Sequence, residues 1–96
     1  MIGNKLSLVQ VVMQNEGNII SNMDGNTVML NIKNGKYYNL GKTGGVIWGA
    51  IKNPASIEEV ILTLLSNYHI EKNECERQVI SFLEQLYAED LILLCS

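Results

Sequence analysis

A change of hydrophobic period at Gly41 constrains this chain more than any other feature. Ahead of it the pattern has period two. Thr27 to Lys33 sets Val28, Leu30 and Ile32 on one face and Thr27, Met29, Asn31 and Lys33 on the other, which describes a strand buried on one side. Asn34-Gly35 follows at once, a pair suited to a two-residue type I′ turn because both central positions need positive φ. The return strand, Lys36 to Leu40, turns Tyr38 and Leu40 to one face and Tyr37 and Asn39 to the other. Upstream, Leu6 to Gln14 is rich in β-branched residues and reads as a further strand, with Asp24-Gly25-Asn26 as a turn.

Beyond Gly41 the period is 3.6. Thr43 is placed to cap a helix carrying Val46, Ile47, Trp48 and Ile51, which Asn53-Pro54 ends. Ser56-Ile57-Glu58-Glu59 fits a capping box, and Val60, Ile61, Leu64, Leu65 and Tyr68 follow as one stripe. A third helix, with Asn73 as its expected N-cap, carries Cys75, Val79, Ile80, Phe82, Leu83, Leu86 and Tyr87. Those side chains span roughly 160° of arc where one neighbour needs about 100°, so this helix is expected to touch two things. Three strands followed by three helices argue an α+β fold. The strand at Lys36–Leu40 comes last in the meander and carries no proline, so one of its sides is expected to be open.

Composition narrows the function classes. Ninety-six residues, 47% of them hydrophobic and 18% charged, describe a single domain over 1–96, with little interior for a deep cavity. The net charge is −3 and no two of the seven basic residues adjoin, which argues against nucleic acid. The longest apolar run, Leu91 to Cys95, is far short of a membrane span, and no cleavage pattern follows Leu6 to Met13, so a cytoplasmic protein is expected. Cys75, Cys95 and the single His69 lie on different elements and lack metal-ligand spacing, so neither a metal nor a cofactor is expected, and the thiols are read as free.

Catalysis finds no support in the pattern. His69 ends the second helix, away from either cysteine, and reads as a helix-end residue. Glu58-Glu59 and Glu71, Glu74 and Glu76 sit at helix starts, where they complement the positive end of the dipole. Lys42-Thr43 precedes Gly44-Gly45, the reverse of a phosphate loop. The chain is expected to bind, not to react.

The run Gly35-Lys36-Tyr37-Tyr38-Asn39-Leu40-Gly41-Lys42-Thr43-Gly44-Gly45-Val46-Ile47-Trp48 resembles the signature of the PqqD-like family, the RiPP recognition elements. Pro54, Ser56, Glu59, Tyr68, Val79, Phe82, Leu83 and Leu86 fall where the family pattern continues. Gly41 departs from it, standing where Asn or Asp is usual. The resemblance implies a winged-helix-like domain, a three-stranded antiparallel sheet followed by three helices. It implies non-catalytic binding of the leader of a ribosomally made precursor peptide, which adds as a strand to the third strand and lies against the third helix.

On that reading the backbone of Lys36, Tyr37, Tyr38, Asn39 and Leu40 supplies the ladder. Val79, Ile80, Leu83 and Tyr87 form the helix wall with Cys75 and Glu76 at its end, while Phe82 and Leu86 belong to the core. A free-standing member of this size resembles the leader-binding protein of lasso-peptide pathways, whose partners are a leader peptidase and a cyclase. It equally resembles a chaperone presenting a peptide to a radical S-adenosylmethionine enzyme. Two readings from other classes stay open here: a winged-helix DNA-binding regulator, disfavoured by the acidic third helix, and a homodimer by edge-to-edge pairing across Lys36–Leu40.

Overall fold

The computed structural model describes residues 6–95; the ends of the expected 1–96 unit, residues 1–5 and 96, lie outside the described residues. Nine elements follow in order: β1 (Val11–Gln14), β2 (Asn18–Met23), β3 (Asn26–Asn31), β4 (Tyr37–Leu40), α1 (Gly41–Ala50), β5 (Ala55–Ser56), α2 (Ile57–Asn67), α3 (Lys72–Ala88) and β6 (Ile92–Leu94). The fold is α+β, with a three-stranded antiparallel meander β2–β3–β4 and three helices.

The meander's first strand is not the one expected. Asn18–Met23 takes that place, pairing with β3 from Asn18↔Asn31 to Met23↔Asn26. The Val11–Gln14 strand instead sits at the centre of a second small sheet, between β5 and the tail strand β6. Val12 is fully buried there, and the Gln14 side chain donates to the Trp48 carbonyl at 2.7 Å.

The two glycine turns differ from expectation as well. Asp24-Gly25, with φ of 53° and 82°, makes the two-residue hairpin that joins β2 to β3. Asn34-Gly35 lies in a four-residue loop from Ile32 to Gly35, closed by Gly35 N–H donating to the Asn31 carbonyl at 2.9 Å. Only Gly35 has positive φ in that loop. Side chains select the longer loop: Asn31 Oδ1 accepts from Asn34 N–H at 3.0 Å, and Asn34 Oδ1 from Lys36 N–H at 2.8 Å.

The inward face of β3 is Thr27, Met29 and Asn31, the reverse of the apolar-in reading. Val28 and Leu30 are half-buried and Ile32 is exposed. Two features make this face tolerable. Gly45 of α1 has no side chain where Thr27 presses against it, and the buried polar groups are bonded across the hairpin. Asn31 Nδ2 donates to Asn18 Oδ1 at 2.7 Å and Thr27 Oγ1 to Asn22 Oδ1 at 3.2 Å.

Helix starts follow local chemistry. Ser56 and Glu59 form the expected capping box on α2. The other two caps are corrected. Leu40, not Thr43, is N-cap of α1 and has no side-chain cap bond. Glu71, not Asn73, caps α3, its carboxylate accepting from the N–H groups of Asn73 and Glu74. Ile47, Trp48, Ile51, Val60, Leu64, Val79, Leu83, Leu91 and Ile92 close the core between helices and sheets. Among the described residues no helix is long and apolar enough to cross a membrane.

Candidate functional site

β4 ends its sheet, and among the described residues no strand lies beyond it. The tail that would compete for this flank, β6, is committed to β1. Asn31 N–H donates to the Lys36 carbonyl at 3.0 Å. Ladder bonds in an antiparallel pair come from alternate residues, so Lys36 and Tyr38 face β3 while Tyr37 and Asn39 aim N–H and C=O outward. The extended run stops at Leu40, whose φ of −82° and ψ of −16° begin α1.

Across a groove of about 520 Å³ from that edge stand Phe82, Gln85 and Leu86 of α3, with its C-cap Glu89 and Leu91 just after it. Phe82 comes down against α1 because Gly44 leaves room: a Cβ there would lie 2.9 Å from the ring and 3.0 Å from Leu40 Cβ. The groove therefore has an apolar floor of Leu40 and Phe82, backed by the buried Leu86 and Leu91, with polar groups at its mouth.

One end is closed by a polar strut. The Tyr38 hydroxyl, projecting from the inward face of β4, donates to Glu89 Oε1 at 2.8 Å and accepts from Asn34 Nδ2 at 2.9 Å. Lys36 Nζ lies 3.6 Å from the same Glu89 oxygen. Burial, and then the Glu89 carboxylate, push the Tyr38 hydroxyl above the ordinary phenol range, so it stays a donor. The bond from Tyr38, and then the Lys36 ammonium, hold the Glu89 carboxyl below its usual range.

A depressed carboxyl contributes stability that is whole above the ordinary carboxylate range and is lost as pH falls through the depressed value. The raised Tyr38 hydroxyl contributes below the ordinary phenol range and loses that contribution as pH rises past it. The strut is thus intact across neutral pH. Tyr38→Phe is expected to move the Glu89 titration, followed by carboxyl carbon NMR, upward toward the ordinary range. An unmoved Glu89 would contradict the bond.

Of the strand half of the expected site, Tyr37, Tyr38, Asn39 and Leu40 line the groove, whereas Lys36 lies just before β4. The expected ladder narrows to Tyr37 and Asn39, because the backbone groups of Lys36 and Tyr38 turn to β3. The helix half is corrected. Cys75, Val79 and Leu83 are 1%, 0% and 0% exposed and belong to the core. Glu76 and Ile80 line a different depression with Arg77 and Glu84, on the far flank of α3. Tyr87 is exposed but does not line the groove. Phe82, Gln85 and Glu89 line the groove in their place, so Phe82 is corrected from the core to the wall. Leu86, 4% exposed, belongs to the core as expected and backs the groove. A period of about 100° per residue gives the width of the arc but not which flank meets β4. The overlooked signal is Gln78, Phe82, Gln85 and Glu89, spaced four, three and four apart, a mixed polar-aromatic stripe beside the purely apolar one.

Elsewhere, His69 is exposed just past α2, and the thiols of Cys75 and Cys95 are free, the first buried and the second exposed. Among the described residues no three His, Cys, Asp or Glu side chains are grouped to hold a metal.

Residues 26–92 match the model of the family described as coenzyme PQQ synthesis protein D (PqqD). No curated protein matches the chain. Two solved structures share its fold. One, described as TbiB1 in complex with the TbiA(beta) leader peptide, has a TM-score of 0.74 at 22% identity, covering 83% of this chain and 93% of that one. The other, lasso peptide synthetase B1 complexed with the leader peptide, has a TM-score of 0.73 at 22% identity, covering 85% and 96%.

Proposed function

Because this chain belongs to the PqqD family, we propose that it binds the leader segment of a ribosomally made precursor peptide, without catalysis, by strand addition to β4. The observation that carries this reading is the open edge at Tyr37 and Asn39 beside a groove floored by Leu40 and Phe82. The two likened structures, each described as a complex with a leader peptide, support it. The lasso-type role follows: the bound leader is presented to a leader peptidase and a cyclase. The unit acts as one domain over 1–96 and works in the cytoplasm, where its thiols stay reduced.

The outward backbone groups number two N–H and two C=O, so main-chain pairing contributes about 4 kcal/mol gross at about 1 kcal/mol per bond. Each apolar leader side chain seated on the floor adds about 2 kcal/mol, and ordering a disordered leader removes about 2–5 kcal/mol. Main-chain pairing alone is therefore close to break-even, and affinity depends on the floor. Phe82→Ala is expected to weaken binding of a synthetic leader at least tenfold, since buried aromatics dominate such contacts. Calorimetric titration with peptides covering short reading frames beside the gene measures it. Equal affinity of wild type and variant would place the peptide elsewhere.

A further inference from the structure

The second open edge of the meander, β2, has none of the devices that keep strand edges apart. It runs six residues, from Asn18 to Met23, in unbroken register with β3. It contains no charged residue and no proline, and five of its six residues are exposed. Among the described residues no strand lies beyond it. Met23↔Asn26 closes a two-residue hairpin, so Ser21 and Ile19 share its bonding phase toward β3. Asn18, Ile20 and Asn22 consequently aim their backbone N–H and C=O outward. A long, uncharged, exposed edge of this kind is a template for another strand.

We propose that the occupant is a second copy of this chain, paired antiparallel through β2 about a two-fold axis at Ser21. Only registers that set outward residues opposite one another form ladder bonds. The register centred on Ser21 places Ile20 opposite Asn22 of the second copy, and the converse. It lays Ile19, 52% exposed, beside Met23, 62% exposed, of the second copy on the outer face. Asp24 falls opposite Asn18, so no like charges meet. The strand is thus complementary to itself, which is what an isologous contact requires.

The β4 edge does not offer this, because α3 stands over it with Phe82 and Gln85 and admits a single strand more readily than a second sheet. Pairing through β2 builds one six-stranded sheet and leaves a β4 groove free at each far end. The inference does not depend on what the groove binds.

Sedimentation equilibrium from about ten micromolar to about one millimolar tests it. The expected result is a mass rising from one chain toward two. Ile20→Pro deletes an outward N–H that β3 does not use, so it is expected to stay monomeric throughout with an unchanged far-ultraviolet spectrum. If that variant fails to fold, Ile19→Lys, at an exposed position, is expected to raise the dissociation constant about tenfold by removing both Ile–Met pairs. Tyr37→Pro, on the other edge, is expected to dimerise as wild type does. A wild-type mass of one chain at the highest concentration would overturn the proposal. So would a dimer unaffected by Ile20→Pro and Ile19→Lys, or one lost in Tyr37→Pro.

Discussion

Leu83→Asp is expected to leave no folded protein at 25 °C. Leu83 is fully buried on the inward stripe of α3, with Val79 and Leu86 one turn away on either side. Removing a buried leucine side chain costs about 2–5 kcal/mol, and an unpaired carboxylate in its place adds several more. A domain of this length has about 5–15 kcal/mol in all. Gln85→Asp, two positions on and exposed at the groove mouth, is expected to keep the full helical circular dichroism. A folded Leu83→Asp protein would mean that the groove wall, not the core, contains Leu83.

The next largest effect is expected at Gly45, where α1 meets β3. A Cβ there collides with Thr27 Oγ1 and lies 2.8 Å from Thr27 Cβ. Thr27 has nowhere to retreat, since it is 9% exposed and held to Asn22. Helix propensity favours alanine by about 1 kcal/mol, whereas overpacking of this kind costs about 1–3 kcal/mol and more where backbone must shift. Gly45→Ala is therefore expected to lower Tm by several degrees, at about 4–8 °C per kcal/mol of net loss. Gly49→Ala, in the same helix with nothing within 4 Å of its added Cβ, is expected to raise Tm instead. Thermal melts of the two variants separate steric from propensity effects. Similar shifts in both would contradict the tight α1–β3 contact.

Much of this arrangement is legible in the residues because its causes are local. Ser56 and Glu59 satisfy each other's backbone, so four residues suffice to place the start of α2. The alternation of Tyr37 to Leu40 states which side chains go in and which backbone groups go out. What was not legible depends on neighbours distant in sequence. The inward face of β3 is decided by a missing Cβ at Gly45 and by Asn18 and Asn22 on another strand.

The exchange of roles between Asp24-Gly25 and Asn34-Gly35 turns on the Asn31 side chain, which lies outside both dipeptides. The flank of α3 that faces β4 is a matter of helix packing, traced in the chain by Gly44 opposite Phe82 and by the polar-aromatic stripe on which Phe82 lies. The open strand edge is legible in the residues and the helix flank across from it is not, because strands announce their two faces and helices announce only the width of one.

Amide hydrogen exchange resolved by NMR tests the central claim most directly. With a synthetic leader peptide added, the N–H groups of Tyr37 and Asn39 are predicted to become strongly protected, while those of Ile20 and Asn22 on the far edge keep their free-state response to protein concentration. Saturated binding with Tyr37 and Asn39 still exchanging as in the free protein would contradict strand addition at β4.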